Sequence, residues 1–172
     1  MLIFIFGGSG SGKSEYAEKR ILEAGEMPRY YVATMEPFGE EGKKRIERHR
    51  ALRTGKGFET IECATHLEQL QLQKKGAVLL EDLSNLLSNE IWSENGRGWS
   101  GSLAKDICQT IKNLADGHQI LVVVGNDIHR DGEAQTPEME QYASLLAECQ
   151  TRLAEVADEV VEVVCGIPVI MS

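Results

Sequence analysis

The chain has 172 residues, 42% hydrophobic and 26% charged, which is enough for one domain of about 70% buried surface without a disulfide or metal staple. Its net charge of −9 argues against broad nucleic-acid binding, which needs Lys and Arg to neutralise phosphates. Four cysteines, Cys63, Cys108, Cys149 and Cys165, form neither a CxxC pair nor a zinc spacing with histidine, and are expected as reduced structural thiols in a cytoplasmic protein.

In chain order, Leu2 to Phe6 (LIFIF) is apolar at every position, the pattern of a strand covered on both faces. It is too short for a membrane span and lacks the basic flank of a signal peptide. A glycine-rich loop, 7–12, leads into a helix from Lys13 to about Ala24. A short strand is predicted at Tyr30–Ala33, a polar basic helix at Glu40–Leu52, a strand at Phe58–Ile61 and a short helix at His66–Leu72. Ala77–Leu80 (AVLL) is a second wholly apolar strand, ending at Glu81-Asp82, and Leu83–Trp92 is a helix. The Gly- and Ser-rich stretch 93–102 is the longest loop signal. Its flanking Trp92 and Trp99 suit either a lid that stacks on a large ligand or simple local packing. Leu103–Ala115 is helical, Ile120–Val124 (ILVVV) is a buried strand, and Pro137 suits the start of a helix running to about Val156. Val160–Val164 and Val169–Met171 are final strands with Gly166 and Pro168 turning the chain between them. Alternating strands and helices predict an α/β fold: a mostly parallel sheet flanked by helices, in a single domain over 1–172. The last two strands lie too close for a helical crossover and are expected to pair antiparallel.

Gly7-Gly8-Ser9-Gly10-Ser11-Gly12-Lys13-Ser14 fits the P-loop pattern G-x-x-x-x-G-K-[ST], between a buried strand and a helix. The glycines let backbone N–H groups turn inward around phosphate oxygens, and the helix N-terminus favours an anion. Lys13 can reach the β and γ phosphates of ATP or GTP, and the Ser14 hydroxyl is a hard oxygen ligand suited to Mg²⁺. The acidic partner expected at the end of an apolar strand is Glu81 or Asp82. Glu81 is the stronger candidate for the metal, since Asp82 is equally suited to stabilising the next helix's N-terminus.

Seven of the eighteen basic residues fall between Lys43 and Lys56. In a helix Arg45, His49 and Arg53 form one stripe, four apart. A guanidinium about 6 Å away, at an effective dielectric near 20, opposes protonation of His49 by about 3 kcal/mol. The imidazole is then neutral and nucleophilic, with arginines to hold the phosphate it attacks. The competing reading is a solvated basic face. His66 and His118 read as surface or helix-end residues, and His129 follows ILVVV at the sheet edge where α/β ligands bind.

These residues together resemble the bifunctional adenosylcobinamide kinase and adenosylcobinamide-phosphate guanylyltransferase family of cobalamin biosynthesis. The resemblance rests on the loop Gly7 to Ser14, on Tyr31-Val32-Ala33-Thr34, on Arg45 to Arg53 as R-I-x-x-H-R-x-x-R, and on Thr60-Ile61-Glu62. Glu81 with Ser84 to Asn89, Ala157 to Val160 and Gly166 to Pro168 extend it over nearly the whole chain. It implies a P-loop fold related to RecA, Mg²⁺ and a homotrimer; with the acidic net charge and the short apolar run, neither a nucleic-acid partner nor a membrane span is expected. The implied activities are phosphorylation of the aminopropanol hydroxyl of adenosylcobinamide and transfer of GMP from GTP to that phosphate, through GMP linked to a histidine. His49 matches that histidine. Thr34, with its neighbours Ala33 and Met35, and Arg50, Arg53, Glu62 and Glu81 match positions associated with nucleotide binding. The chain departs from the family pattern at Gly10, which is usually Arg, and at His129 to Gly132. It departs again at Tyr142-Ala143-Ser144, which stands where the family has F-R-D. Two other readings stay open: a P-loop kinase of another small alcohol or nucleoside, and a nucleotide-dependent binding protein without group transfer.

Overall fold

Apolar runs of four or five residues, too short for core helices, assemble into the centre of one seven-stranded sheet. The structure, a computed structural model, describes residues 1–36, 39–127 and 136–171, apart from the side chains of Glu41, Lys43, Arg45, Arg48, His49 and Leu52. The strands are β1 (Leu2–Gly7), β2 (Arg29–Ala33), β3 (Phe58–Glu62), β4 (Ala77–Glu81), β5 (Ile120–Asn126), β6 (Glu159–Val164) and β7 (Ile167–Ile170). Their order is β3-β2-β4-β5-β1-β6-β7. All neighbours are parallel except β6 and β7, the antiparallel pair expected at the C-terminus.

Among the described residues five α-helices connect them: α1 (Lys13–Glu23), α2 (Gly39–Arg53), α3 (Leu83–Trp92), α4 (Leu103–Gly117) and α5 (Pro137–Val156). The connections from β1 to β2 and β2 to β3 move toward one edge of the sheet. Those into β4, β5 and β6 move toward the other. Right-handed crossovers then place α1 on one face and α3, α4 and α5 on the opposite one. The core divides accordingly. Leu2, Phe4, Leu80 and Val123 pack with Leu83, Leu86, Ile107, Ile111 and Leu146 on the face of α3 to α5. Ile3, Ile5, Leu79 and Val122 pack with Ala17 and Ile21 on the face of α1. Alternate residues of each central strand thus serve two cores, which is why those strands are apolar throughout.

Two helix starts follow local chemistry. The Asp82 carboxylate accepts the Asn85 N–H at 2.7 Å and caps α3, and the Thr136 hydroxyl accepts the Met139 N–H at 3.3 Å ahead of α5, with Pro137 in the first turn. Two sequence expectations need correcting. The helix predicted over 66–72 is only a 3-10 turn at Leu67–Gln69, because His66 and Leu70 leave helical geometry on either side. Pro168 lies inside β7, opposite Val163, and the turn is Cys165-Gly166. An edge strand tolerates proline because only one of its sides needs ladder donors.

The stretch 93–102 is tied down at several points. Gly98 N–H bonds the Glu90 carbonyl at 2.8 Å, and a Cβ on Gly96 would lie 2.4 Å from the Asn89 carbonyl oxygen, so only glycine lets the chain approach α3 this closely. Arg97 pairs with Glu68 and, at 3.3 Å, with buried Glu90. His66 holds the Glu68 carboxylate through Nδ1 at 3.1 Å and the Asn95 carbonyl through Nε2 at 2.7 Å. The bond to Glu68, and then that to Asn95, raises the His66 pKa above its ordinary value. A raised folded-state pKa stabilises the fold most at pH below the ordinary imidazole value, and the contribution is lost as pH rises through the raised one. His66 has φ +53°, a backbone geometry that asparagine accepts. His66→Asn is therefore expected to melt below wild type under mildly acidic conditions, with the gap closing as pH rises through the raised imidazole pKa. A Tm difference independent of pH would contradict the ionic clamp.

Candidate nucleotide-binding site

Parallel register brings the ends of four strands to one edge. Ala33 pairs with Glu81, Glu81 with Val124, and Gly7 with Asn126. The loop 8–12 leaves β1 at that edge, where ligands of open α/β sheets bind. Its shape depends on glycine. A Cβ on Gly7 would lie 2.5 Å from the Val163 carbonyl oxygen. Gly12, at φ +89°, starts α1. A Cβ there would meet Gly166 Cα at 3.2 Å, and the Gly166 N–H bonds the Ser11 carbonyl at 2.7 Å, so the β6–β7 turn braces the loop.

A cavity of about 650 Å³ opens above this edge, within the usual range for a small-molecule site. From the loop it takes Ser9, Gly10, Ser11, Gly12, Lys13 and Ser14. The strand ends supply Ala33, Met35, Glu62 and Glu81, and α2 supplies Arg50 and Arg53. Residues predicted from distant stretches of chain therefore share one space. Lys13 is buried, and its Nζ donates to the Gly8 carbonyl at 3.1 Å. The Ser14 hydroxyl donates to Glu81 Oε1, and the Tyr31 hydroxyl donates to Glu81 Oε2 at 2.9 Å. Burial, and then the Glu81 charge, push the Tyr31 phenol well above its ordinary pKa, so it remains a donor. Glu81 has to reach across β5, which lies between β4 and β1, to meet Ser14.

Three predicted residues sit apart from the cavity wall. Gly7 is buried beneath the loop and Gly8 contributes its carbonyl to Lys13. Thr34 is fully buried. Its hydroxyl donates to the Asp82 carbonyl at 2.9 Å and accepts the Asp82 N–H at 2.7 Å, so it holds the segment that carries Glu81. Asp82, open between two readings in the sequence, caps α3 and lines the cavity as well. Its other oxygen accepts Asn126 Nδ2 at 2.8 Å, and the Ser84 hydroxyl donates to Oδ1 at 2.7 Å.

The helix α2 has almost no apolar stripe, only Ile46, Ala51 and Leu52 among charges, so a helix of this kind is held by specific contacts. The Arg53 guanidinium stands 3.4 Å from the centre of the Tyr31 ring, a cation–π contact, and Arg50 pairs with Glu62 at 2.5 Å. Arg53 Nε and Ser11 Oγ are buried and make no hydrogen bond among the described residues, though both residues line the cavity. Such orphaned polar atoms favour a polar, anionic occupant. The His49 side chain and all of His129 lie outside the described residues. Ile46 and Arg53, three before and four after position 49, both line the cavity.

Sequence reasoning did not assign Lys44, Asn85 or Asn126 to the site, nor the role of Tyr31 beneath Arg53. A weak signal existed for Asn126, which ends an apolar strand. None existed for Lys44, one of many cations on its helix. The remaining histidine, His118, accepts the Gly76 N–H at 3.3 Å, and burial lowers its pKa, which suits a neutral structural acceptor. No described helix is long and apolar enough to cross a membrane.

The sequence profile for cobinamide kinase / cobinamide phosphate guanyltransferase (CobU) matches residues 3–171. The bifunctional adenosylcobalamin biosynthesis protein CobU of Salmonella typhimurium is 29% identical, and its Escherichia coli counterpart 28%, each alignment covering 98% of both chains. Among solved structures, the flagellar accessory protein FlaH of Methanocaldococcus jannaschii superposes with a TM-score of 0.52 at 13% identity, over 94% of this chain and 70% of that one. That likeness is one of fold, shared among P-loop ATPases.

Proposed function

The chain belongs to the cobinamide kinase / cobinamide phosphate guanyltransferase family, and from that premise we propose that residues 1–172, as one domain, carry out both reactions around the cavity above the loop 8–12. In the first, the hydroxyl oxygen at the end of the cobinamide aminopropanol arm attacks the γ-phosphorus of a nucleoside triphosphate. The bond to the β-phosphate oxygen breaks, the diphosphate leaves, and the hydroxyl proton is released. In the second, a His49 ring nitrogen attacks the α-phosphorus of GTP and expels pyrophosphate. A phosphate oxygen of cobinamide phosphate then attacks the phosphorus of the histidine-bound GMP; the P–N bond breaks, GMP passes to the phosphate as a diphosphate linkage, and the histidine regains its free ring.

The observation that carries the reading is the gathering of Lys13, Ser14, Glu81, Arg50 and Arg53 around one cavity. Lys13 and the loop amides hold the β and γ phosphates. Arg50 and Arg53 supply positive charge from α2, the helix that includes position 49. Ser14 Oγ and Glu81 Oε1, already in contact, are the hard oxygens suited to Mg²⁺, which when bound neutralises charge developing on the phosphates. Thr34 and Tyr31 fix Glu81 in place. We further propose that the protein works in the cytoplasm, where its four thiols stay reduced, and as a homotrimer. The exposed apolar side chains of β7, Ile167, Val169 and Ile170, favour association.

A two-stage assay tests the reading. Cobinamide with ATP and Mg²⁺ is expected to yield a phosphorylated corrinoid, and addition of GTP labelled at the α-phosphate is expected to move the label into that product. A phosphate ester without subsequent GMP transfer would leave a kinase alone. Nucleotide binding without either product would favour a regulatory binder.

A further inference from the structure

The chain's two tryptophans, Trp92 and Trp99, take no part in the nucleotide cavity. Their rings meet edge to face at 5.8 Å, and Trp92 tilts against Tyr142 at 5.1 Å. Trp92 is nevertheless 48% exposed and Trp99 38%. Indoles present only for local packing would sink further, since burying such large rings is strongly favourable. Beside Trp99 lies a second cavity of about 440 Å³, lined also by Ser100, Gln141, Ser144, Leu145 and Glu148. Glu148 is paired with Arg152, so the wall is polar and almost without unbalanced charge.

This ledge is held in place. The stretch that carries Trp99 is pinned to α3 through Gly98 and Arg97, and to the 3-10 turn through Arg97 and His66. It is also joined to the reaction site. The Tyr142 hydroxyl donates to the Ser84 carbonyl at 2.8 Å, Ser84 bonds Asp82, and Asp82 and Asn126 line the nucleotide cavity. One residue thus touches both the tryptophan pair and the network at the edge of the phosphate site.

We propose that the Trp99 ledge and the cavity beside it bind the corrinoid acceptor, an inference that rests on the function proposed above. A corrinoid is a broad, nearly planar macrocycle fringed with uncharged carboxamides, with its reactive hydroxyl at the end of one extended arm. The indole of Trp99 matches the macrocycle, and Ser100, Gln141 and Ser144 match the amide fringe as donors and acceptors. The arm runs past Tyr142 toward Asp82, where the hydroxyl meets the nucleotide. The cation-rich nucleotide cavity is matched to phosphates and not to this amide-fringed body, which carries no anionic group.

Equilibrium dialysis of cobinamide and, separately, of ATP against wild type, Trp99→Ala, Trp99→Phe and Ser144→Arg tests the assignment. Trp99→Ala and Ser144→Arg are expected to weaken cobinamide binding about ten-fold or more, with ATP binding unchanged. Trp99→Phe, which keeps an aromatic face, is expected to recover most of the loss. In the kinase assay the KM for cobinamide rises while kcat stays close to wild type. Wild-type affinity in both Trp99→Ala and Ser144→Arg overturns the ledge, as does parallel loss of ATP binding, which marks a folding defect. Absence of cobinamide binding by the wild-type protein overturns the proposed function itself, and is distinguishable because it appears before any substitution.

Discussion

His49→Ala is expected to retain phosphorylation of cobinamide within a few-fold of wild type and to lose GMP transfer by about 10⁴-fold or more, equivalent to about 5.5 kcal/mol of barrier. The asymmetry follows from the chemistry. Direct phosphoryl transfer depends on positioning and charge, supplied by Lys13 and the loop amides. GMP transfer through a covalent intermediate depends on one lone pair, and alanine has none. The measurement is retention of label from α-labelled GTP on the denatured protein, acid-labile and alkali-stable as a phosphoramidate is. Label on wild type and none on the variant supports the nucleophile. Equal label on both would assign the covalent step to another side chain, and no label on wild type would remove it from the mechanism. Position 49 is flanked at helical spacing by Ile46 and Arg53, which line the cavity, and Arg53 is anchored on the Tyr31 ring. The helix therefore presents its cations at the cavity despite lacking an apolar stripe.

Lys13→Ala is expected to lower kcat/KM for ATP by about 10³-fold, or about 4 kcal/mol, and to weaken GTP use comparably. Lys13 is only 8% exposed, at the start of α1. In that partly desolvated setting an ammonium interacts with phosphate oxygens more strongly than it would in water. Wild type at a nucleotide concentration of about 100 times Kd should gain about 2.7 kcal/mol of stability, and the variant should lose nearly all of that thermal shift. A variant that melts like wild type without nucleotide but no longer responds to it would place the defect in binding. An undiminished response would exclude Lys13 from the phosphate site.

Much of the architecture was open to reading in the sequence because its signals are local. LIFIF, AVLL and ILVVV are apolar on every residue, so they announced strands covered on both sides, and they became β1, β4 and β5 at the sheet's centre. The loop from Gly7 to Ser14 could be read whole, because its chemistry lies in one contiguous stretch, with glycines at set spacing followed by Lys and Ser. Pro137 after Thr136 marked the start of α5 for equally local reasons. The helix expected over 66–72 failed where a short polar stretch had no periodicity long enough to separate a helix from a turn. Pro168 misled because its restriction suits an edge strand as well as a turn.

What only the tertiary structure decided is which distant residues meet. The order β4-β5-β1 carries Glu81 across an intervening strand to Ser14, and the pairing of Tyr31 with both Glu81 and Arg53 depends on α2 lying on the face of α1. Sequence distance holds no information about either contact. The division of labour between two adjacent acids was likewise settled in space, with Glu81 on Ser14 and Asp82 capping α3 while bonding Asn126. The sequence by itself determined the strands and the phosphate loop, because those depend on residues in succession. Parallel pairing at the sheet's carboxyl edge turned them into a site, since it is the register of separate strands that sets acids, cations and amides around one cavity.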